Sequence, residues 1–180
     1  KNALKNNFDG YIICTEPSSH FQIAKSIIKA NKPVLVEKPL TLNLKDAVSL
    51  NNLAKKQNVN LMVGHLLLFH PAFIKIKEML DANLIGDIQY IYSNRLNMGT
   101  FRSDENVFWS FAPHDIALFN YYYETSPYKV TSNGVAILQK GIHDTTITSF
   151  NYGKKKMGHI FVSWLHPFKE HRFVIIGSKG

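Results

Sequence analysis

Pro33-Val34-Leu35-Val36-Glu37-Lys38-Pro39-Leu40 joins a short apolar run to a carboxylate, an amine and a proline. Residues 33–36 have the length and composition of a buried strand, and charge enters where that strand stops. In open α/β sheets the carboxyl ends of the strands face the ligand crevice, so a Glu-Lys pair at that end stands where chemistry is done. Proline closes the segment because it cannot donate to a sheet ladder.

Two more β-rich runs flank this one, residues 10–15 (Gly-Tyr-Ile-Ile-Cys-Thr) and 59–63 (Val-Asn-Leu-Met-Val). Helical periodicity fills the gaps. Phe21, Ala24, Ile27 and Ile28 recur at three- and four-residue spacing with Ser18 or Ser19 as the cap. Leu44, Ala47, Val48 and Ala54 repeat the pattern with Thr41 or Asn43 as the cap. Strand, helix, strand, helix, strand predicts parallel pairing through right-handed crossovers, part of a doubly wound sheet.

After residue 65 the pattern changes. A helix is expected over residues 72–81, with Phe73, Ile76 and Leu80 on one face, then Gly86 and the alternating segment Ile88–Arg95. A second helix is expected to begin near Pro113-His114-Asp115, where proline suits a first turn and the acid complements the helix dipole. Four strand-like runs follow, 129–139, 143–151, 157–165 and 171–176, punctuated by Gly141, Gly153 and Pro167. Helix followed by successive strands predicts an α+β unit with a largely antiparallel sheet.

The 180 residues, 45% hydrophobic and 19% charged, carry enough apolar material for a folded core. No apolar stretch approaches the roughly 20 residues needed to cross a bilayer, and the amino terminus lacks a basic-then-apolar secretory pattern, so no membrane partner is expected. Cys14 is the single cysteine, which rules out an intrachain disulfide and suits a reducing cytoplasm. The chain opens on Lys1 and stops just after an apolar run, so truncation at both ends is expected. The net charge of +8 would suit an anionic ligand or nucleic acid, yet the lysines are scattered and Lys154-Lys155-Lys156 is the one tight run. It reads as a solvated hairpin turn, with nucleic-acid contact as the alternative.

Lys38 admits two readings from residue type and position. It is either an exposed lysine paired with Glu37, or an ammonium partly buried in a crevice that orients a substrate hydroxyl or shares in proton transfer. His114 also admits two: a capping or core histidine, or a base that takes a hydroxyl proton while a hydride leaves the same carbon. The other histidines, 20, 65, 70, 143, 159, 166 and 171, show no HExxH or other tight ligand spacing, so no metal site is expected. Thr15-Glu16-Pro17-Ser18-Ser19-His20 follows the first strand into a helix, where a cofactor would meet backbone donors. No Gly-x-Gly-x-x-Gly occurs in the chain.

Taken in order, Ile13–His20, Val34–Leu40, Val63-Gly64-His65 through Phe69-His70-Pro71, Ile85–Ile88, Pro113–Ile116 and Ile176–Gly180 resemble the Gfo/Idh/MocA family of nicotinamide-dependent sugar dehydrogenases. The resemblance implies residues 1–65 as the carboxyl-terminal half of a Rossmann domain, its amino-terminal half missing. Residues 66–180 are then a truncated substrate and oligomerisation domain with an open sheet. It implies NAD or NADP as cofactor, a sugar or nucleotide-sugar substrate, and a homo-oligomer formed through the second-domain sheet.

By the same resemblance Lys38 and His114 are the catalytic pair, in the cleft between the domains. Thr15, Pro17, His20, Glu37, Lys38 and Pro39 meet the cofactor. The stretches Asn94–Asn97 and Arg102–Asp115 are similar to members acting on nucleotide-linked amino sugars, the UDP-N-acetylglucosamine 3-dehydrogenases, which implies Arg95, Arg102 and Asp115 as substrate contacts; the alternative for the two arginines is that they anchor a loop or an interface. Many members carry an aspartate four residues before the histidine, where this chain has Ser110. Ser110 favours a second class, a non-catalytic sugar- or nucleotide-binding relative. A third, a basic nucleic-acid-binding module, draws on the net charge and eight tyrosines but has no recognisable motif.

Overall fold

The computed structural model describes residues 3–99, 101–103, 105–153 and 155–180. It divides into two compact units, Lys1–His65 and Leu66–Gly180.

In the first unit β1 (Tyr11–Ile13), β2 (Val34–Val36) and β3 (Leu61–Val63) form a parallel sheet in chain order, linked by α1 (Pro17–Lys29) and α2 (Leu44–Gln57). Ile13, Val34, Val36, Ala24, Ile27, Ile28, Leu50 and Ala54 make the core, so both helices lie on one face. Asn43 caps α2 by accepting from the Asp46 N–H at 2.9 Å. The cap of α1 is Glu16, not Ser18 or Ser19. Pro17 occupies the first helical position with its φ already suited to the helix, and the Ser19 hydroxyl turns back to the Glu16 carbonyl at 2.9 Å.

The second unit opens with a 3-10 turn, Leu66–Phe69, and α3 (Pro71–Asp81), whose cap is His70 Nδ1 accepting from the Ala72 N–H. It continues with β4 (Ile88–Leu96), α4 (Val107–Tyr123), β5 (Lys129–Val135), β6 (Thr145–Gly153), β7 (Lys156–Ser163) and β8 (Glu170–Gly177). The sheet order is β5-β6-β7-β4-β8. Only β4 and β7 pair in parallel; the other three pairings are antiparallel. Between β6 and β7 the chain reverses through Gly153 and Lys155, both at positive φ; Lys154 lies outside the described residues.

Helix α4 starts six residues before the expected Pro113, at Val107, because the Asn106 side chain accepts from the Trp109 N–H and caps it there. Pro113 is therefore interior. It leaves the Trp109 carbonyl without its helical donor, at a cost of about 3 kcal/mol relative to alanine. Burial of Val107, Ala112, Leu118 and Phe119 against Ile91, Phe150, Ile160 and Val162 offsets that cost. The helix lies close to the strands because Gly158 has no side chain. A Cβ there would sit 2.6 Å from the Phe119 ring and 2.7 Å from the Ile91 carbonyl.

Candidate active site

The carboxyl edge of the first sheet collects most of the residues expected to meet a cofactor. Glu37 leaves β2 with its N–H on the Ile13 carbonyl at 2.9 Å, and Gly64 leaves β3 with its N–H on the Val36 carbonyl at 2.8 Å. The Glu37 carboxylate lies over bare Gly64, where a Cβ would come within 3.0 Å of Oε2. Lys38 is half-buried and joined to Pro39 by a cis peptide. Thr15 is exposed after β1, its hydroxyl 2.6 Å from that of Ser19 in the first turn of α1.

His20 is at the same edge but presents no free ring nitrogen. Its ring is 1% exposed, with Nδ1 2.8 Å from the Pro39 carbonyl and Nε2 2.9 Å from the Thr15 carbonyl. It joins two strand-end loops. His65, beyond β3, is half-buried, and that burial lowers its pKa below 6.5.

In the second unit α4 carries the other candidates. Ser110 and His114 are four residues apart and share a helix face. Asp115 points to the sheet, fully buried, and takes two hydrogen bonds from Arg95: Nε to Oδ2 at 2.5 Å and Nη2 to Oδ1 at 3.0 Å. Burial pushes the Asp115 carboxyl up, while Arg95 and Ser93 pull it down.

Two cavities lie beside this helix. One, about 180 Å³, is bordered by the Arg95–Asp115 pair, His70 and His171. Burial, then the charges of Arg95 and Lys169, lower the His171 pKa. The other, about 210 Å³, is lined by Asn97, Gly99, Arg102, Ser110, Phe111 and Trp164. Arg102 is exposed there and paired with Glu105 at 3.2 Å.

The structure thus brings Arg95 together with Asp115 and sets Arg102 apart from them. Asn97 and Trp164 were not singled out by residue type. Both follow the carboxyl ends of the parallel pair β4 and β7, the strand-end position that made Lys38 conspicuous. No group of three or more His, Cys, Asp or Glu side chains is placed to hold a metal ion among the described residues, and none of their helices is long and apolar enough to cross a membrane.

Residues 1–65 match a family model described as oxidoreductase family, NAD-binding Rossmann fold, and residues 73–180 match the GFO/IDH/MocA C-terminal domain. The chain belongs to the Gfo/Idh/MocA oxidoreductase family. Oxidoreductase P35 of Formosa agariphila is 35% identical over 126 residues, covering 62% of this chain and 39% of the relative. The UDP-N-acetylglucosamine 3-dehydrogenase of Acidithiobacillus ferrooxidans is 32% identical over 135 residues, 74% of this chain and 42% of that protein. A solved structure of that dehydrogenase aligns with a TM-score of 0.87 at 26% identity, covering 98% of this chain and 57% of that one. The myo-inositol 2-dehydrogenase of Thermotoga maritima is 25% identical over 185 residues, 97% of this chain and 55% of the relative. The chain spans about half the length of these curated relatives.

Proposed function

We propose that the protein carrying this chain oxidises a secondary hydroxyl of a sugar or nucleotide-linked amino sugar to a ketone. Bound NAD or NADP supplies the acceptor for the hydride. The observation that carries the reading is Lys38, half-buried at the carboxyl end of β2 in a region matched to an NAD-binding model. The Lys38 ammonium and the amino end of α1, both at that edge, are of the kind that meets ribose and phosphate oxygens.

In this reading His114 accepts the hydroxyl proton as the C–H bond gives up its electron pair, and Lys38 orients the same oxygen and stabilises its developing charge. Arg102, open to its cavity, meets sugar or phosphate oxygens. Arg95 and Asp115 offer the other cavity a neutralised pair suited to hydroxyl groups rather than to a phosphate. Pro17, Glu37 and Pro39 shape the cofactor side. A cytoplasmic location accompanies the assignment.

The exposed face of the five-stranded sheet supports self-association. Tyr92 stacks on His159 there at 5.4 Å, and Ile147, Met157 and Ile176 remain open to solvent. A second copy covering that face belongs to this proposal.

The test is reduction of NAD or NADP by the full-length protein with UDP-N-acetylglucosamine, myo-inositol and scyllo-inositol as probes. Sugar-dependent reduction, lost in Lys38→Ala, is the expected result. Ser110 favours a second reading, a binding protein that has lost turnover. Cofactor binding with no reduction across the panel would establish that reading instead.

A further inference from the structure

Within the first unit, the buried His20 ring has both nitrogens engaged. Both ring nitrogens face carbonyl oxygens, Pro39 at 2.8 Å and Thr15 at 2.9 Å, and the ring is 1% exposed. Carbonyl oxygens only accept, and a neutral imidazole carries a single N–H. Both contacts are hydrogen bonds at once only when both nitrogens are protonated. With one proton, a ring lone pair would face a carbonyl lone pair, at Pro39 in a buried setting or at Thr15 in a partly buried one.

The two carbonyls are not arbitrary. Thr15 follows β1 and leads into α1; Pro39 follows β2 and is bonded to Lys38. β1 and β2 are neighbouring parallel strands, so the ring spans adjacent strand ends at the edge where Lys38 stands. His20 is also in the first turn of α1, whose positive end disfavours a cation. Burial of the ring disfavours a cation as well, and the two charge-assisted hydrogen bonds must oppose both effects.

We propose that His20 is a positioning residue. Donating from both ring nitrogens, it clamps the Thr15 and Pro39 carbonyls and so fixes the backbone that carries Lys38. The clamp gains catalytic meaning from the assignment of Lys38 to the reacting hydroxyl, and it rests on that assignment for its role in turnover. It explains why a histidine with no access to a ligand stands between two loops that the sequence associates with the cofactor.

The experiment uses the full-length protein. Nitrogen NMR of the His20 ring should show both nitrogens protonated near neutral pH, and one bare nitrogen overturns the proposal. His20→Leu keeps the apolar bulk and removes both donors; His20→Gln restores two N–H donors on one nitrogen. By hydrogen exchange, His20→Leu should speed the Glu37 amide, bonded to the Ile13 carbonyl where the two loops leave the sheet, by about tenfold or more, the scale of one lost charge-assisted bond. His20→Gln should recover most of that protection, with the α2 amides unchanged in both variants.

Unchanged exchange at Glu37 in His20→Leu, or no recovery in His20→Gln, overturns the clamp. If His20→Leu fails to fold, the ring NMR and the His20→Gln exchange still decide it. Lys38→Ala separates the two ideas. Full turnover in that variant sinks the role of Lys38, while the exchange pattern independently tests the clamp.

Discussion

Asp115 and Arg95 are joined at two points, 2.5 and 3.0 Å, across the interface of α4 and β4, one residue along the helix from His114. The carboxylate is fully buried, and the Arg95 side chain is 18% exposed. Removing one partner of such a pair leaves the other charged and unpaired, which costs far more than the pair contributes over an apolar substitute.

Arg95→Leu should therefore lower unfolding stability by about 3 kcal/mol, the low end for a buried pair because Arg95 keeps some water contact. Urea denaturation measures it. A loss below about 0.5 kcal/mol would mean that the pair behaves as a surface bridge.

Gly158 sets how closely α4 approaches β7. Gly158→Ala should cost about 1–3 kcal/mol by overpacking against Phe119. Combining it with Phe119→Leu should return part of the loss, because the two sites share one space. Thermal unfolding of the single and double variants gives the coupling, and simple additivity would contradict the packing argument.

The amino end of α4 hangs on Asn106. Asn106→Ala should cost about 1 kcal/mol and fray the turn that carries Trp109 and Ser110. Faster amide exchange confined to that turn is the expected signature. Unchanged exchange would move the start of the helix back toward Pro113.

Acid should destabilise the chain before its carboxylates protonate. Burial lowers the pKa of His65 and His171 from 6.5, so the unfolded state takes up protons first as pH falls. Stability then rises with pH across the window just below 6.5 and is fully present above it. The urea midpoint should be lower at about pH 5.5 than at about pH 7.5, and His65→Gln should flatten the difference. A midpoint independent of pH would remove both groups from the account.

The sequence carried the strand-helix alternation of residues 10–63 because each element announces itself locally, by period, by Asn43 at a helix start and by Pro33 and Pro39 around a strand. It misplaced α4 because Pro113 has the chemistry of a first helical residue, and only tertiary burial reveals that the helix runs through it. Lys38 and His114 are proposed from strand-end and helix position and from family resemblance. The His20 clamp was not. Its partner carbonyl at Pro39 is 19 residues away, and nothing in the sequence marks a backbone oxygen. The Arg95–Asp115 pair was likewise invisible at a separation of 20, although both residues had been singled out for other reasons.

The most direct test is steady-state turnover of the full-length protein as wild type, Lys38→Ala and His114→Asn, with NADH or NADPH formation followed on the probe sugars. Loss of the orienting cation or of the base should lower kcat by about 100-fold or more, the range for a positioned acid or base, while unfolding stability stays near wild type. Turnover within about twofold of wild type in either folded variant would contradict the assignment of that residue to the reacting hydroxyl.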